Sequence, residues 1–528
     1  MERKRERVAD DATSSPPPCK RLEIGNEATR TSGRTNMIDD ELSSIDDLLQ
    51  QEETSQRQTW QIGKRVKRLL ERHEDVPISK QLDAYFLWGT ALARLASLNE
   101  DPTLADAAAD KFQQILQISG DGAESEDAVD AALGPVGYSL WGSSLLIVAT
   151  ETQSRQVLDQ ALTKFQRAVE VDGGTTFETR FQYAKALKEG GDLVAFLEED
   201  KGAAGANTND YYDRALQVCK KLEDIYQVES KAQENDVKET KLTDIEDGCN
   251  GEGQNGGDDD DDDKVTVEDF AEVKLLEAVL QGVLEDPSSV NSFYRTVALY
   301  QEAIALNPGN AKALMEATDY LAARCLASAN FDTMPSAGEW AKLFGDLEVQ
   351  YKRLLADVGF DLQECHEICH RKDTHDQNEP EEKEIDEEVP YLLNALGKGL
   401  AAFARSFPQF DGDTARGKKR QKQKSRKANG NARFTHAVEV LRSAHHFHDK
   451  LGCYYLACLY ASPAFEDEGE CRVWLETADS YGALEDEFDV QAFATMHGKA
   501  WFKHLAQPPA LVTEIDGKER ESSEEDDG

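Results

Sequence analysis

The chain has 528 residues, 39% of them hydrophobic, with 102 acidic against 59 basic side chains and a formal net charge of −43. That excess repels nucleic-acid phosphates over most of the surface, attracts basic partners such as ribosomal proteins, histones or RNA-binding tails, and by itself favours solubility. Nine cysteines without framework spacing, no apolar run of the roughly 18–20 residues a bilayer span needs, and the charged opening Met1-Glu2-Arg3-Lys4-Arg5 argue against a disulfide scaffold, a membrane helix and a secretory leader. The expected setting is a reducing compartment, cytosol or nucleus.

Residues 1–55 read as a disordered leader, basic and then acidic, rich in Arg, Ser, Thr, Asp and Pro. Within it Ile38, Leu42, Ile45, Leu48 and Leu49 fall at helical spacing, which suits either a docking helix or the first helix of a helical array. Residues 56–228 carry an N-terminal set of helical repeats. The predicted helices are Ala84–Leu98, Leu104–Ile118, Gly137–Ala149, Arg155–Val171, Thr176–Lys188 and Asp210–Tyr226, with Gly190-Gly191 assigned to a connection. Two segments echo each other fifty-three positions apart. Leu87-Trp88-Gly89 returns as Leu140-Trp141-Gly142, and Lys111-Phe112-Gln113 returns as Lys164-Phe165-Gln166. Gly89, Gly142, Ala108 and Ala161 sit where two helices must approach closely, and Trp88, Trp141, Phe112 and Phe165 read as the knobs that fill the gaps. That is tetratricopeptide-like logic.

Residues 229–266 form an acidic insert containing the run Asp258 to Asp263, expected to be disordered. Residues 267–372 hold central repeats. Their clearest unit is Leu299-Tyr300-Gln301-Glu302-Ala303-Ile304-Ala305-Leu306-Asn307-Pro308, in which Tyr300 and Ala303 pack and Pro308 ends the helix before a new one opens at Ala311. Residues 373–388 are an acidic loop. Residues 389–505 hold C-terminal repeats interrupted by a basic insert at 411–431, and residues 506–528 are an acidic tail expected to be disordered. The predicted fold class is all-α, a tetratricopeptide-like helical-repeat solenoid with disordered acidic and basic inserts.

One segment has an enzyme-like pattern. His366-Glu367-Ile368-Cys369-His370 fits H-E-x-x-H, in which His366 and His370 on one helical face could hold zinc with Glu367 as general base. No recognised third ligand comes after it, so the alternative is a helix end with two solvent-facing histidines. No phosphate-binding glycine loop or nucleophile elbow is present, so no catalytic residue and no cofactor site is assigned. Two basic clusters read as nuclear-import addresses: Arg3, Lys4, Arg5 and Arg7 with Lys20 and Arg21, and Lys418, Lys419 and Arg420 within the basic insert. The second could instead touch RNA backbone, the one place where nucleic-acid contact is expected, and the alternative for both is a solvated loop.

A basic start, an acidic leader at Asp39-Asp40-Glu41 and Asp46-Asp47, and an all-helical array with acidic inserts together resemble the fungal enhancer of translation termination family. The resemblance is architectural and covers about residues 1–505. It implies a non-enzymatic nuclear scaffold, able to shuttle to the cytoplasm. Such a scaffold would be needed for correct translation termination, would take part in transcription regulation of hypoxic genes, and would bind a prolyl-hydroxylase-like dioxygenase. The residues leave two other readings open: an acidic tetratricopeptide-type chaperone of a basic ribosomal protein, and a zinc-dependent hydrolase built on His366, Glu367 and His370.

Overall fold

The computed structural model describes residues 27–51, 55–72, 76–122, 126–199, 208–243, 265–328, 335–363, 386–409, 426–484 and 488–505. Among them the regular elements are helices and none is a strand, so the fold is all-α. The chain forms two compact units, Met1–Ala204 and Gly205–Gly528.

Unit 1 contains α1 (Glu27–Leu49), α2 (Gln56–Arg72), α3 (Ile78–Asn99), α4 (Pro102–Gly122), α5 (Glu126–Thr152), α6 (Arg155–Val171) and α7 (Phe177–Glu199). Its turns are set by local chemistry. Glu100 takes a left-handed conformation to close α3. Asp101 then caps α4, its Oδ1 accepting from Thr103 N at 2.8 Å and Leu104 N at 3.3 Å, and Pro102 opens the helix where its missing N–H costs nothing. Ser154 caps α6 by accepting from Val157 N.

Each helix packs on its chain neighbour, and alternate helices also pack on one another: α1 on α3, α3 on α5, α5 on α7. The echoed residues make two close approaches among these. A Cβ on Gly89 of α3 would lie 2.9 Å from the Phe112 ring of α4, and one on Gly142 of α5 would lie 2.7 Å from the Phe165 ring of α6. Lys111 Nζ stands 4.7 Å over the Trp88 ring and Lys164 Nζ 3.6 Å over Trp141, so the echo extends to a cation–π pair. Phe112 also stacks on Trp141 at 6.4 Å, joining the first echoed pair to the second. Trp141 is buried, whereas Trp88 is half-buried and stacks on Tyr85.

Four expectations need correction here. The leader does not extend to residue 55, because Ile38, Leu42, Ile45 and Leu49 are buried against α2 and α3 and make α1 part of the unit. The helix predicted from Gly137 starts at Glu126 and kinks at Gly134, whose φ is 60°, beside Pro135. Gly190-Gly191 is no connection; α7 runs through it, and Gly190 receives the Leu158 side chain 3.1 Å from where a Cβ would stand. Finally, the stretch Val129–Thr152 of α5 is long and apolar enough by composition to cross a membrane. Its apolarity has a local cause, since α3, α4, α6 and α7 all pack on α5.

Unit 2 contains α8 (Thr208–Thr243), α9 (Val267–Leu284), α10 (Val290–Leu306), α11 (Ala311–Ala327), α12 (Ala337–Asp357), α13 (Glu388–Ser406), α14 (Arg426–Phe447), α15 (Cys453–Ala461), α16 (Glu468–Ser480), a 3-10 helix (Val490–Met496) and α17 (Ala500–Leu505). Alternate helices again touch: α9 with α11, α11 with α13, α13 with α15. The α8 helix continues to Thr243, past the expected insert boundary at 229, and α14 begins at Arg426, inside the expected basic insert. Pro308 and the Asn310 cap end α10 and open α11 where the sequence places them, Asn310 accepting from Ala313 N at 3.0 Å. Tyr300 and Ala303 are buried. A ring series, Phe293–Trp340–Phe344–Phe403, crosses the core at 5.1, 6.0 and 5.7 Å. Gly397 and Gly399 on α13 admit Leu441 of α14 and Thr318 of α11.

Polar anchors join the helices. Glu285, buried after α9, accepts from Tyr320 at 2.9 Å and Thr296 at 3.1 Å and is ion-paired with Arg324 at 2.9 Å. Lys274 of α9 is ion-paired with Glu223 of α8, with Glu277 at 3.4 Å and with Glu302 of α10 at 3.7 Å. Glu348 of α12 lies 3.3 Å from His436 of α14 and 2.7 Å from Lys352. The hydrogen bond with His436, with Lys352 adding to it against the cost of burial, holds the Glu348 carboxyl at about 2.

Two outcomes are expected. Gly142→Ala should destabilise the chain by about 1–3 kcal/mol through overpacking, and Phe165→Leu in the same chain should recover part of that loss. Trp141→Ala should cost about 3–5 kcal/mol, and half-buried Trp88→Ala less. Chemical denaturation of the four variants checks both statements. The second outcome concerns acid. The Glu348 carboxyl titrates lower folded than unfolded, so its stabilisation is full above the ordinary 4.5 and is lost as pH falls toward about 2. The stability gap between the parent chain and Glu348→Gln should therefore narrow over that window. A gap that stayed constant to pH 2 would contradict it.

Candidate functional site

The face of unit 1 made by α1, α3 and α5 has a groove of about 500 Å³. Its floor is apolar: Leu42 from α1, Phe86 and Leu87 from α3, and Leu133 from α5. The kink at Gly134 shapes one wall, because the left-handed residue turns the backbone just where α5 borders the groove. Three carboxylates stand around this floor, Asp39 and Asp46 on α1 and Asp83 on α3, with one ammonium, Lys80.

Lys80 Nζ lies 2.9 Å from Asp39 and 3.2 Å from Asp83. The hydrogen bond to Asp39, then that to Asp83, raises its pKa above the ordinary lysine value, so the ammonium stays charged. Asp46 has no ion-pair partner among the described residues. The groove therefore keeps a net negative rim over an apolar floor, an arrangement suited to a side chain with an aliphatic stem and a cationic end. One such side chain, Lys80, is already held at its mouth.

A second cavity, of about 360 Å³, lies in unit 2 between α10, α11 and α12. Val297, Ile304, Ala317, Leu321, Leu343 and Leu347 make it apolar, and Asp346 and Arg353 give it one charge of each sign. Of the residues singled out in sequence, Tyr300 and Pro308 line this cavity, while Ala303 is buried in the core.

The remaining sequence candidates separate into two groups. Trp88, Gly89, Phe112, Trp141, Gly142 and Phe165 come together as packing between helices α3 to α6. His366, Glu367 and His370, and the basic residues Arg3, Lys4, Arg5, Arg7, Lys20, Arg21, Lys418, Lys419 and Arg420, lie outside the described residues. Among the described residues no group of three or more His, Cys, Asp or Glu side chains is placed to hold a metal ion. The buried thiols Cys219, Cys325 and Cys471 are each pushed up to about 12, chiefly by burial, which leaves them unreactive at neutral pH.

In the sequence Asp39 and Asp46 stand out only as part of the acidic leader, and Lys80 and Asp83 carry no signal. Only the spacing of the Leu42 stripe hinted that α1 packs at all, and a groove shared by three helices is a tertiary property. Comparison with protein-family models and with curated proteins gave no match to this chain.

Proposed function

We propose that this chain is a non-enzymatic helical-repeat scaffold that takes a basic protein segment in the groove between α1, α3 and α5. The observation that carries the reading is the ring of Asp39, Asp46 and Asp83 over the floor of Leu42, Phe86, Leu87 and Leu133. Contact between alternate helices in each unit supports the finer description, a tetratricopeptide-like solenoid in which helix pairs stack and one layer of helices is left to bind. The Trp-Gly and Lys-Phe sets, repeated at one offset and making the same contacts twice, support it further. A basic partner fits both the chaperone reading and the termination reading. The resemblance to the enhancer of translation termination family favours a nuclear role in termination and hypoxic gene expression, with a prolyl-hydroxylase-like dioxygenase as a further partner.

The test uses the full chain and a panel of lysine- and arginine-rich peptides. Changing Asp39, Asp46 and Asp83 to Asn should weaken the tightest peptide at least tenfold while leaving the melting temperature within a few degrees. Unchanged affinity would place the partner elsewhere and end the groove assignment. In pull-downs a dioxygenase supports the termination reading, whereas one dominant basic ribosomal protein replaces it with the chaperone. Purified protein should contain no stoichiometric zinc. One zinc per chain, lost with His366→Ala or His370→Ala, would overturn the non-enzymatic reading.

A further inference from the structure

The α2 helix reverses the charge of the rest of the chain. Its seventeen residues hold Arg57, Lys64, Arg65, Lys67, Arg68 and Arg72 against a single acid, Glu71. The helix has one buried stripe, Thr59, Ile62, Val66 and Leu69, which fixes its rotation on unit 1. That rotation turns Arg57, Lys64, Arg68 and Arg72 outward along one line, with Lys67 also exposed at its side. Lys67 pairs with Glu71 at 3.8 Å. Arg57, Arg65, Arg68 and Arg72 form no ion pair with any described residue, in a chain where acids outnumber bases 102 to 59. Trp60 lies beside the line of cations with 46% of its surface exposed, and Lys64 Nζ stands 5.1 Å over its ring.

We infer that the outer face of α2 binds a single-stranded nucleic acid, its cations along the phosphates and Trp60 stacked on a base. The line from Arg57 to Arg72 runs for about 22 Å, and Lys64, Arg68 and Arg72 succeed one another at steps of about 6 Å. Long cationic side chains at those steps can track the phosphates of one strand. The indole selects among anionic partners. An acidic peptide, including the run Asp258 to Asp263, engages the cations and leaves Trp60 idle, whereas a nucleotide strand uses both. A bilayer surface would call for the apolar stripe, and that stripe is buried. At about 0.1 M salt charges more than about 10 Å away are largely screened, so the net charge of −43 acts on the site mainly through the acids nearest in sequence, Glu71 on the helix and Glu52, Glu53, Glu74 and Asp75 beyond its ends.

The experiment is fluorescence anisotropy of labelled twelve-nucleotide oligo(U) and oligo(dT) with the full chain at 50–200 mM salt. Comparison variants are the triple change Arg57→Gln, Arg68→Gln, Arg72→Gln, and separately Trp60→Ala, each checked for an unchanged melting curve. Because Trp60 is half out in solvent, its replacement should fold. The parent chain should bind with a log–log salt slope of about −2 to −3, as expected for three to four phosphates on a single strand. The triple variant should lose at least tenfold and Trp60→Ala about tenfold. A difference between oligo(U) and oligo(dT) assigns the site to RNA or DNA, and equal binding assigns it to either strand. No binding by the parent chain at 50 mM salt would overturn the inference. So would retention by the triple variant with loss on changing Lys418, Lys419 and Arg420 to Gln, or binding that a poly-aspartate peptide displaces and Trp60→Ala leaves intact.

Discussion

Unit 1 is organised by a phenyl ring pressed onto bare helix backbone. Phe112 covers Gly89 and Phe165 covers Gly142, at distances where any added Cβ would meet the ring. Glycine inside a helix is unfavourable by about 1 kcal/mol relative to alanine, so its presence at both positions needs a return from packing. The return is that α4 lies close on α3, and α6 close on α5, with the aromatic ring filling the space a side chain would have taken. The lysine before each phenylalanine then reaches the tryptophan before each glycine and covers the indole face. Phe112 touches Trp141 as well, so the two pairs share one ring contact. Unit 2 solves the same problem with other residues. Gly397 and Gly399 let α13 approach its neighbours, and there an aliphatic side chain, Leu441, fills one of the gaps.

Close pairing of neighbours leaves α1, α3 and α5 to pack through their sides, and that layer holds the groove. Its chemistry depends on where the helices place short acidic side chains. Asp39 and Asp46 are seven residues apart on α1, two turns along one face, on either side of Leu42 and Ser43 at the groove wall. Asp83 on α3 faces them across Lys80. A carboxylate half-covered by protein costs desolvation unless a cation balances it, and Lys80 balances two of the three. The third remains the most available point for a cationic side chain from outside.

How much of this could be read in the sequence varies by feature. The echoed Trp-Gly and Lys-Phe sets were legible because close helix packing imposes residue types at fixed positions. Tyr300 to Asn310 was legible because proline and asparagine punctuate helices by local chemistry alone. Gly190-Gly191 is ambiguous in sequence, since glycine marks both turns and close approaches, and only the neighbouring Leu158 distinguishes them. The α1 helix was half legible: the spacing of Ile38, Leu42, Ile45 and Leu49 was seen, but what it packs on was not. The cations of α2 form no run along the chain, so the sequence alone does not set them apart. Arg57, Lys64, Arg68 and Arg72 are scattered in sequence and become a line only once the helix and its buried stripe are drawn. The groove carboxylates come from two helices separated by α2, and no local pattern joins them.

Unit 1 thus carries opposite charges on two of its helices, an acidic groove walled by α1 and a basic outer face on α2, although the two helices pack together. In a chain with 43 more acids than bases, the simplest way to lower self-repulsion is to set each cation beside a carboxylate. Lys80, Arg167 and Lys274 obey that pattern, each with two or more acidic neighbours. Arg57, Arg68 and Arg72 of α2 form no ion pair with a described residue, and they lie on the face opposite the stripe that the core fixes. Exposed cations with no carboxylate paired to them among the described residues leave local attraction unused. That attraction is recovered when an anionic partner covers the face, and the exposed indole beside it narrows the partner to one with flat apolar surfaces between its charges.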